Sequence, residues 1–146
     1  MINKFGSASK LEMELLEKNY NINLPSEYKE FLFNYNGGVV DKKEENKIYI
    51  KDLDEYINID VLYGINTESR TSDIATWMNK LGDDLIEGSI IIGDDLLQGM
   101  IVMITEGDFK GIYYWDDSYN FDSSSDDENT YLIFNNFKEL LDKIEG

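Results

Sequence analysis

The sequence contains no histidine and no cysteine among its 146 residues. Their absence excludes Ser–His–Asp and Cys–His catalysis, and it leaves zinc without the nitrogen and sulfur ligands of a structural site. A single arginine, Arg70, excludes a phosphate clamp built from several guanidinium groups. The chemistry that remains open relies on carboxylates, tyrosine, lysine or a hard metal ion, and we expect no cofactor.

Long hydrophobic runs are also absent, as is an N-terminal apolar stretch preceded by a basic segment. A helix that spans a bilayer needs about 20 consecutive apolar residues, and a secretory signal starts with the basic and apolar pattern. Without cysteine, no disulfide can support the fold in an oxidising compartment. We therefore expect a cytoplasmic protein that does not enter a membrane.

Acidic residues, in contrast, are abundant: 30 Asp and Glu against 13 Lys and Arg give a net charge of −17. Residues 1–51 are balanced, with 8 of each sign, whereas residues 52–146 contain 22 acidic and 5 basic side chains. Such a surface repels nucleic acid and anionic membranes, and it attracts basic molecules over about 8 Å at physiological salt. We expect a basic protein partner and no direct binding of nucleic acid.

The composition is that of a packed globule rather than a disordered chain, despite this charge. Hydrophobic residues make up 42% of the sequence, and 2 Trp, 10 Tyr and 7 Phe supply large apolar surfaces. The length is typical of one domain with one hydrophobic core. We therefore expect a single domain that spans residues 1–146.

Four segments carry helical signals. Ser9 and Glu12 have the spacing of a capping box, which predicts a helix that begins at Ser9. We expect Leu11, Leu15 and Leu16 to form its buried face. The four predicted helices begin at Ser9, run over Ser26–Tyr35, begin near Ser72, and run over Asn135–Ile144.

Short apolar runs bounded by Gly, Asp and Asn predict strands. They cover Lys47–Ile50, Val61–Ile65, Ser89–Ile92, Met100–Thr105, Gly111–Trp115 and Tyr131–Phe134. The turn signals between the later strands favour an antiparallel meander. Together with the helices, this order predicts an α+β fold in which helices pack on one side of a largely antiparallel sheet.

Four segments, taken in order, resemble the SUKH superfamily. They are Leu24–Leu32 followed by Asn36-Gly37-Gly38, Ile90–Asp94 with Gly99, Ile112–Asp116, and Phe134–Leu141. This superfamily includes the Smi–Knr type regulators of fungal cell-wall synthesis and many bacterial immunity proteins. The resemblance extends from about Leu11 to Ile144, and it implies a SUKH-like single domain.

The resemblance also implies a function without catalysis. Stand-alone bacterial members of this size resemble antidotes that bind and neutralise a secreted or contact-delivered toxin, frequently a nuclease. The fungal relatives are scaffolding regulators. We therefore expect an immunity protein whose acidic surface binds a basic toxin domain, and the alternative is an intracellular scaffold or regulator that binds host proteins.

Aspartate pairs at predicted turns are the candidate binding surface. Such pairs are also common in plain solvated turns, but their concentration between residues 81 and 128 favours a use in binding. Alternation on a strand places Tyr114 on the opposite face from Tyr113 and Trp115, where it is either core or an exposed platform beside the acids. The candidate partner-binding residues are Asp94, Asp95, Tyr114, Asp116, Asp117, Asp122, Asp126, Asp127 and Glu128.

Two other uses of the acids are metal binding and hydrolysis. An EF-hand needs glycine at its sixth position, and the run Asp122–Glu128 lacks it, so no metal site is expected. A hydrolase with a carboxylate pair needs two acids that face one cleft. No pair stands out among the 30 acids, so this enzyme class stays open as a minor alternative.

Overall fold

The structure, a computed structural model, describes residues 2–96, 99–116 and 130–145. Its α-helices within these ranges are α1 (Lys10–Tyr20), α2 (Ser26–Asn34), α3 (Ile74–Leu81) and α4 (Phe137–Glu145). Its strands are β1 (Ile2–Lys4), β2 (Gly38–Val40), β3 (Ile48–Ile50), β4 (Glu55–Ile57), β5 (Ile59–Leu62), β6 (Ser89–Asp95), β7 (Met100–Ile104), β8 (Gly111–Trp115) and β9 (Thr130–Phe134).

Seven of these strands form one antiparallel sheet in the order β1-β2-β5-β6-β7-β8-β9. Strands β3 and β4 pair separately as a small antiparallel sheet. The predicted α+β class with a largely antiparallel sheet is confirmed. The predicted antiparallel meander of the later strands is present from β6 to β9.

The central strands are buried on both faces. Ile90, Ile91 and Ile92 of β6 are fully buried, and every residue of β7 is buried. Since neighbouring side chains of a strand point to opposite faces, both faces of the sheet must be covered. This requirement explains why these two strands are almost continuous apolar runs rather than alternating ones.

The helices provide this cover from two sides. Phe137 of α4 lines a small cavity with Met103 and Ile112, which are directly paired across β7 and β8 and so share one face. α2 joins α4 there, because its Tyr28 and Phe31 rings each lie 4.9 Å from the Phe137 ring. α2 and α4 therefore pack together on one side of the sheet, as was predicted for the helices.

The third helix packs on the opposite face. Trp77 of α3 stacks on Tyr63 with the ring centres 5.7 Å apart. The Tyr63 hydroxyl reaches to 3.9 Å from the sulfur of Met100, whose side chain points away from that of Met103 three residues on. The sheet therefore lies between α3 on one face and α2 with α4 on the other, so the prediction that the helices pack on one side of the sheet does not hold for α3.

The predicted capping box at the start of α1 is present. The Ser9 hydroxyl accepts a hydrogen bond from the Glu12 amide (3.1 Å), and the Glu12 carboxylate accepts one from the Ser9 amide (2.9 Å). The predicted buried face was wrong in part, since Leu11 and Leu15 are exposed and the core side consists of Met13 and Leu16. Successive helical residues are about 100° apart, so adjacent leucines cannot both face the core squarely.

The predicted strand Ser89–Ile92 was expected to end at the turn signal Gly93-Asp94-Asp95, and this end is wrong, because these residues continue β6. Gly93 pairs with Leu62 of β5 on one side and Ile101 of β7 on the other. A Cβ at Gly93 would lie 2.6 Å from the Val61 carbonyl oxygen, so glycine permits the close approach of β5. Here glycine marks a β-bulge between crowded strands rather than a chain reversal.

We predict that Ser9→Ala lowers the free energy of unfolding by about 1 kcal/mol, because the Glu12 amide loses its acceptor. The matched control is Ser26→Ala, since Ser26 is exposed at the start of α2 and the α2 N-terminus has no side-chain cap. Urea denaturation followed by circular dichroism measures both variants. Equal stabilities of the two variants would contradict a capping role for Ser9.

Candidate functional site

The predicted partner-binding residues divide into two groups. Asp94, Asp95, Tyr114 and Asp116 belong to the residues that the structure describes. Asp117, Asp122, Asp126, Asp127 and Glu128 lie outside the described residues, so their proposed role stays a prediction.

Asp95 and Tyr114 form a buried pair. The Tyr114 hydroxyl donates a hydrogen bond to a carboxylate oxygen of Asp95 at 2.9 Å, and the two residues are only 4% and 3% exposed respectively. A Cβ at Gly99 would collide with the Tyr114 ring, so glycine at this position makes room for the ring. Of the two alternatives for Tyr114, it is therefore core rather than an exposed platform, because its face of β8 is also covered.

Asp94 is half-buried on the other face of the same strand. Its two carboxylate oxygens accept hydrogen bonds from the Tyr63 hydroxyl (2.7 Å) and from the Val61 amide (3.2 Å). Burial raises the pKa of Asp94 above its usual value, although these two hydrogen bonds lower it. The nearby charges of Asp60 and Asp95 also raise the pKa.

These two carboxylates do not share a cleft. Asp94 lies with Tyr63 and Asp95 with Tyr114, on opposite faces of β6, so they are not arranged as the acid pair of a glycoside hydrolase. Within residues 2–96, 99–116 and 130–145, no group of three acidic side chains is placed to hold a metal ion. Asp116 is half-buried at the end of β8.

Exposed acids concentrate instead in two turns, 82–88 and 105–110, which we call the acidic turns. The strand pairings Ser89–Ile104 and Ile104–Gly111 bring them to the same end of the sheet. They are joined by the Gly88 carbonyl, which accepts hydrogen bonds from the Thr105 amide (2.9 Å) and hydroxyl (2.8 Å). Their exposed acids are Asp83, Asp84, Glu87, Glu106 and Asp108.

An apolar groove lies beside the acidic turns, on the face of the sheet that carries α3. It is a cavity of about 180 Å³ lined by Leu85, Ile86, Ser89, Val102, Ile104, Phe109, Tyr113, Trp115 and Thr130. Phe109 at its edge is 65% exposed, although it is a large apolar residue. This apolar groove was not predicted from the sequence, because Leu85, Ile86 and Phe109 fall between the predicted helices and strands. Their presence as apolar residues within otherwise polar turns is the feature that could have indicated it.

One polar atom inside the apolar groove lacks a hydrogen-bond partner. Ser89 is only 5% exposed, and its hydroxyl oxygen makes no hydrogen bond with any described residue. A buried hydroxyl left unpaired costs free energy of about 1–3 kcal/mol. A molecule bound in the apolar groove could supply the missing partner.

Comparison with known proteins gives one result over most of the chain. The family model described as SMI1 / KNR4 family (SUKH-1) matches residues 7–143, from just before α1 to the last turn of α4. No curated protein matches the chain significantly. None of the described helices is long and apolar enough to span a bilayer.

The environment of Asp94 predicts a specific pH dependence. Because its pKa is raised in the folded chain, the folded state binds more protons than the unfolded state between the two pKa values, and stability falls there as pH rises. Asp94→Asn removes this titration. We expect the stability of the wild type relative to Asp94→Asn to decrease from about pH 4 upward and to level off once Asp94 is ionised.

Urea denaturation at a series of pH values measures this difference. Tyr63→Phe is the companion variant. It removes the hydroxyl that donates to Asp94, which raises the folded-state pKa of Asp94 further and extends the decrease in stability to higher pH. Parallel profiles for the wild type and Asp94→Asn would show that burial of Asp94 does not influence stability.

Proposed function

The chain belongs to the SMI1/KNR4 family (SUKH-1), and from that premise we propose that it is a non-catalytic immunity protein that neutralises a basic toxin by binding it. Membership of a family associated with binding of protein toxins supports this proposal. The toxin domain is proposed to be basic because the acidic chain attracts positive charge, and a nuclease is one such domain. A one-to-one blocking complex needs no reactive group from this chain.

The observation that carries the proposal is the unbalanced charge of residues 52–146, with 22 acids against 5 bases. Several acids outside the acidic turns are paired, as in Lys42–Asp60 at 2.6 Å and Lys47–Glu44 at 2.7 Å. The five exposed acids of the acidic turns form no ion pair with any described residue. Their mutual repulsion opposes folding, and a basic partner relieves it.

The proposed mechanism is electrostatic mimicry. A nuclease presents Lys and Arg side chains to the phosphates of its substrate, and an acidic protein can occupy that same surface. Complementary charge also speeds encounter, with association at about 10⁸–10⁹ M⁻¹s⁻¹ at low salt compared with about 10⁵–10⁶ M⁻¹s⁻¹ for neutral surfaces. Fast capture suits an antidote that must reach the toxin before the toxin reaches nucleic acid.

Capture from the source organism with this chain as bait, followed by assay of the bound protein, tests the proposal. We expect a basic domain with toxic activity, which added chain inhibits in proportion until one equivalent is present. Capture of host proteins without such activity would favour the scaffold function instead.

The electrostatic mechanism predicts a strong salt dependence. We expect the affinity for the captured domain to fall at least tenfold between about 0.05 M and 0.5 M salt, because the Debye length shortens below the distance between facing charges. Isothermal titration calorimetry measures this dependence. An affinity that does not change with salt would contradict electrostatic mimicry even if the partner is a toxin.

A further inference from the structure

We propose that the apolar groove seats one aromatic side chain of the partner, tyrosine or tryptophan, in a segment where Lys or Arg residues flank it. This inference rests on the proposed function in one respect, the basic character of the partner. It goes further by assigning a docking site, an anchor residue and a polar contact inside the site.

The size of the apolar groove fits a single ring. Its volume is about 180 Å³, and an engineered apolar cavity of about 150 Å³ holds one benzene molecule. The walls are supplied by apolar side chains such as Val102 and Ile104 from β7 and Trp115 from β8. Aromatic anchors in desolvated pockets contribute a large share of binding energy at protein interfaces.

Ser89 favours tyrosine or tryptophan over phenylalanine as the anchor residue of the partner. Ser89 lines the apolar groove, and its buried hydroxyl pairs with none of the described residues. The hydroxyl of tyrosine or the N–H of tryptophan can complete a hydrogen bond there, whereas phenylalanine leaves Ser89 unpaired. The anchor is therefore assigned as an aromatic residue with a polar group.

The acidic charge at the edge of the apolar groove indicates which residues of the partner flank the anchor. The acidic turns supply Leu85, Ile86 and Phe109 to the lining, and each of these residues has an exposed acid nearby in its turn. The side chain of Glu106 lies against Gly88, where it also borders the start of β6. Lys110 is the one basic residue of the acidic turns, so the local excess of acid favours Lys or Arg in the partner.

The exposure of Phe109 supports an interface rather than an internal role. This side chain is 65% exposed beside Ile86, which is 45% exposed. Large apolar side chains grouped at the edge of a pocket and surrounded by charge are typical of protein interaction sites. A second copy of this chain is disfavoured as the occupant, because its net charge of −17 repels an identical molecule.

The experiment is an NMR titration of the ¹⁵N-labelled chain with the peptide acetyl-Lys-Lys-Tyr-Lys-Lys-amide. We expect chemical-shift changes at the acidic turns and at Ser89, Tyr113 and Trp115. The control peptides replace Tyr with Phe or Ala, or replace the four Lys with Glu. Binding should decrease in the order Tyr, Phe, Ala, and it should be lost with Glu.

Matched variants of the chain locate the binding. Phe109→Ala should weaken binding of the Tyr peptide about tenfold, because the edge of the apolar groove is removed. Phe33→Ala is the control, since Phe33 is 60% exposed and lies on α2, which covers the other face of the sheet. Ser89→Ala should abolish the preference for Tyr over Phe without loss of folding, because it removes an unpaired buried hydroxyl.

Several results would overturn the inference. Two of them are equal losses of peptide binding in Phe109→Ala and Phe33→Ala, and chemical-shift changes confined to other surfaces. The others are an unchanged preference for the Tyr peptide over the Phe peptide in Ser89→Ala, and concentration-dependent self-association of the chain through the apolar groove. The proposed function fails separately. If the Phe109→Ala variant inhibits a captured toxin as well as the wild type does, the docking site alone is refuted. If the peptide binds but no toxin is captured, the proposed function alone is refuted.

Discussion

Burial of both faces of β6 and β7 is the constraint on which the rest of the structure depends. Three consecutive isoleucines, Ile90 to Ile92, are fully buried, so neither face of the sheet centre can be left to solvent. Helices α2 and α4 cover one face, and α3 covers part of the other. The acidic turns lie outside this apolar centre, at the ends of its strands.

The same constraint explains the polar groups within the sheet. Asp94 and Asp95 end β6 on opposite faces, and each accepts a hydrogen bond from a tyrosine hydroxyl. A buried carboxylate without such donors would oppose folding strongly. Asp94 and Asp95 therefore belong to the hydrogen-bonded ends of the central strands, whereas the exposed acids lie in the neighbouring acidic turns.

The helices and most strands were predictable because their signals are local. The Ser9–Glu12 capping box lies within four residues, and the stripe Tyr28, Phe31 and Leu32 repeats within one segment. Strands β1, β2 and β4 were not predicted, although β3 has the same length. β1 and β4 each contain a charged residue, and β2 overlaps the turn signal Asn36-Gly37-Gly38, so none of them is a clear apolar run. Leu15 was assigned to the core because the sequence does not indicate which of two adjacent leucines faces the sheet.

The candidate site was harder to predict, because it depends on contacts between distant residues. Gly-Asp-Asp is a turn signal in isolation, and pairing with both β5 and β7 overrides it. Tyr114 was correctly placed on the face opposite Tyr113, but the sequence does not show that this face is covered as well. The apolar groove joins Ile86, Phe109 and Tyr113, residues from three segments that only the folded sheet brings together.

We propose that this acidic chain binds its partner at one end of its sheet. Hydrogen–deuterium exchange of the chain, free and bound to its captured partner, tests that claim most directly. The account predicts slower exchange in the bound state at the amides of residues 82–88 and 105–110, with little change in α1 and α2. Slower exchange confined to α1 and α2, with these turns unchanged, would contradict it.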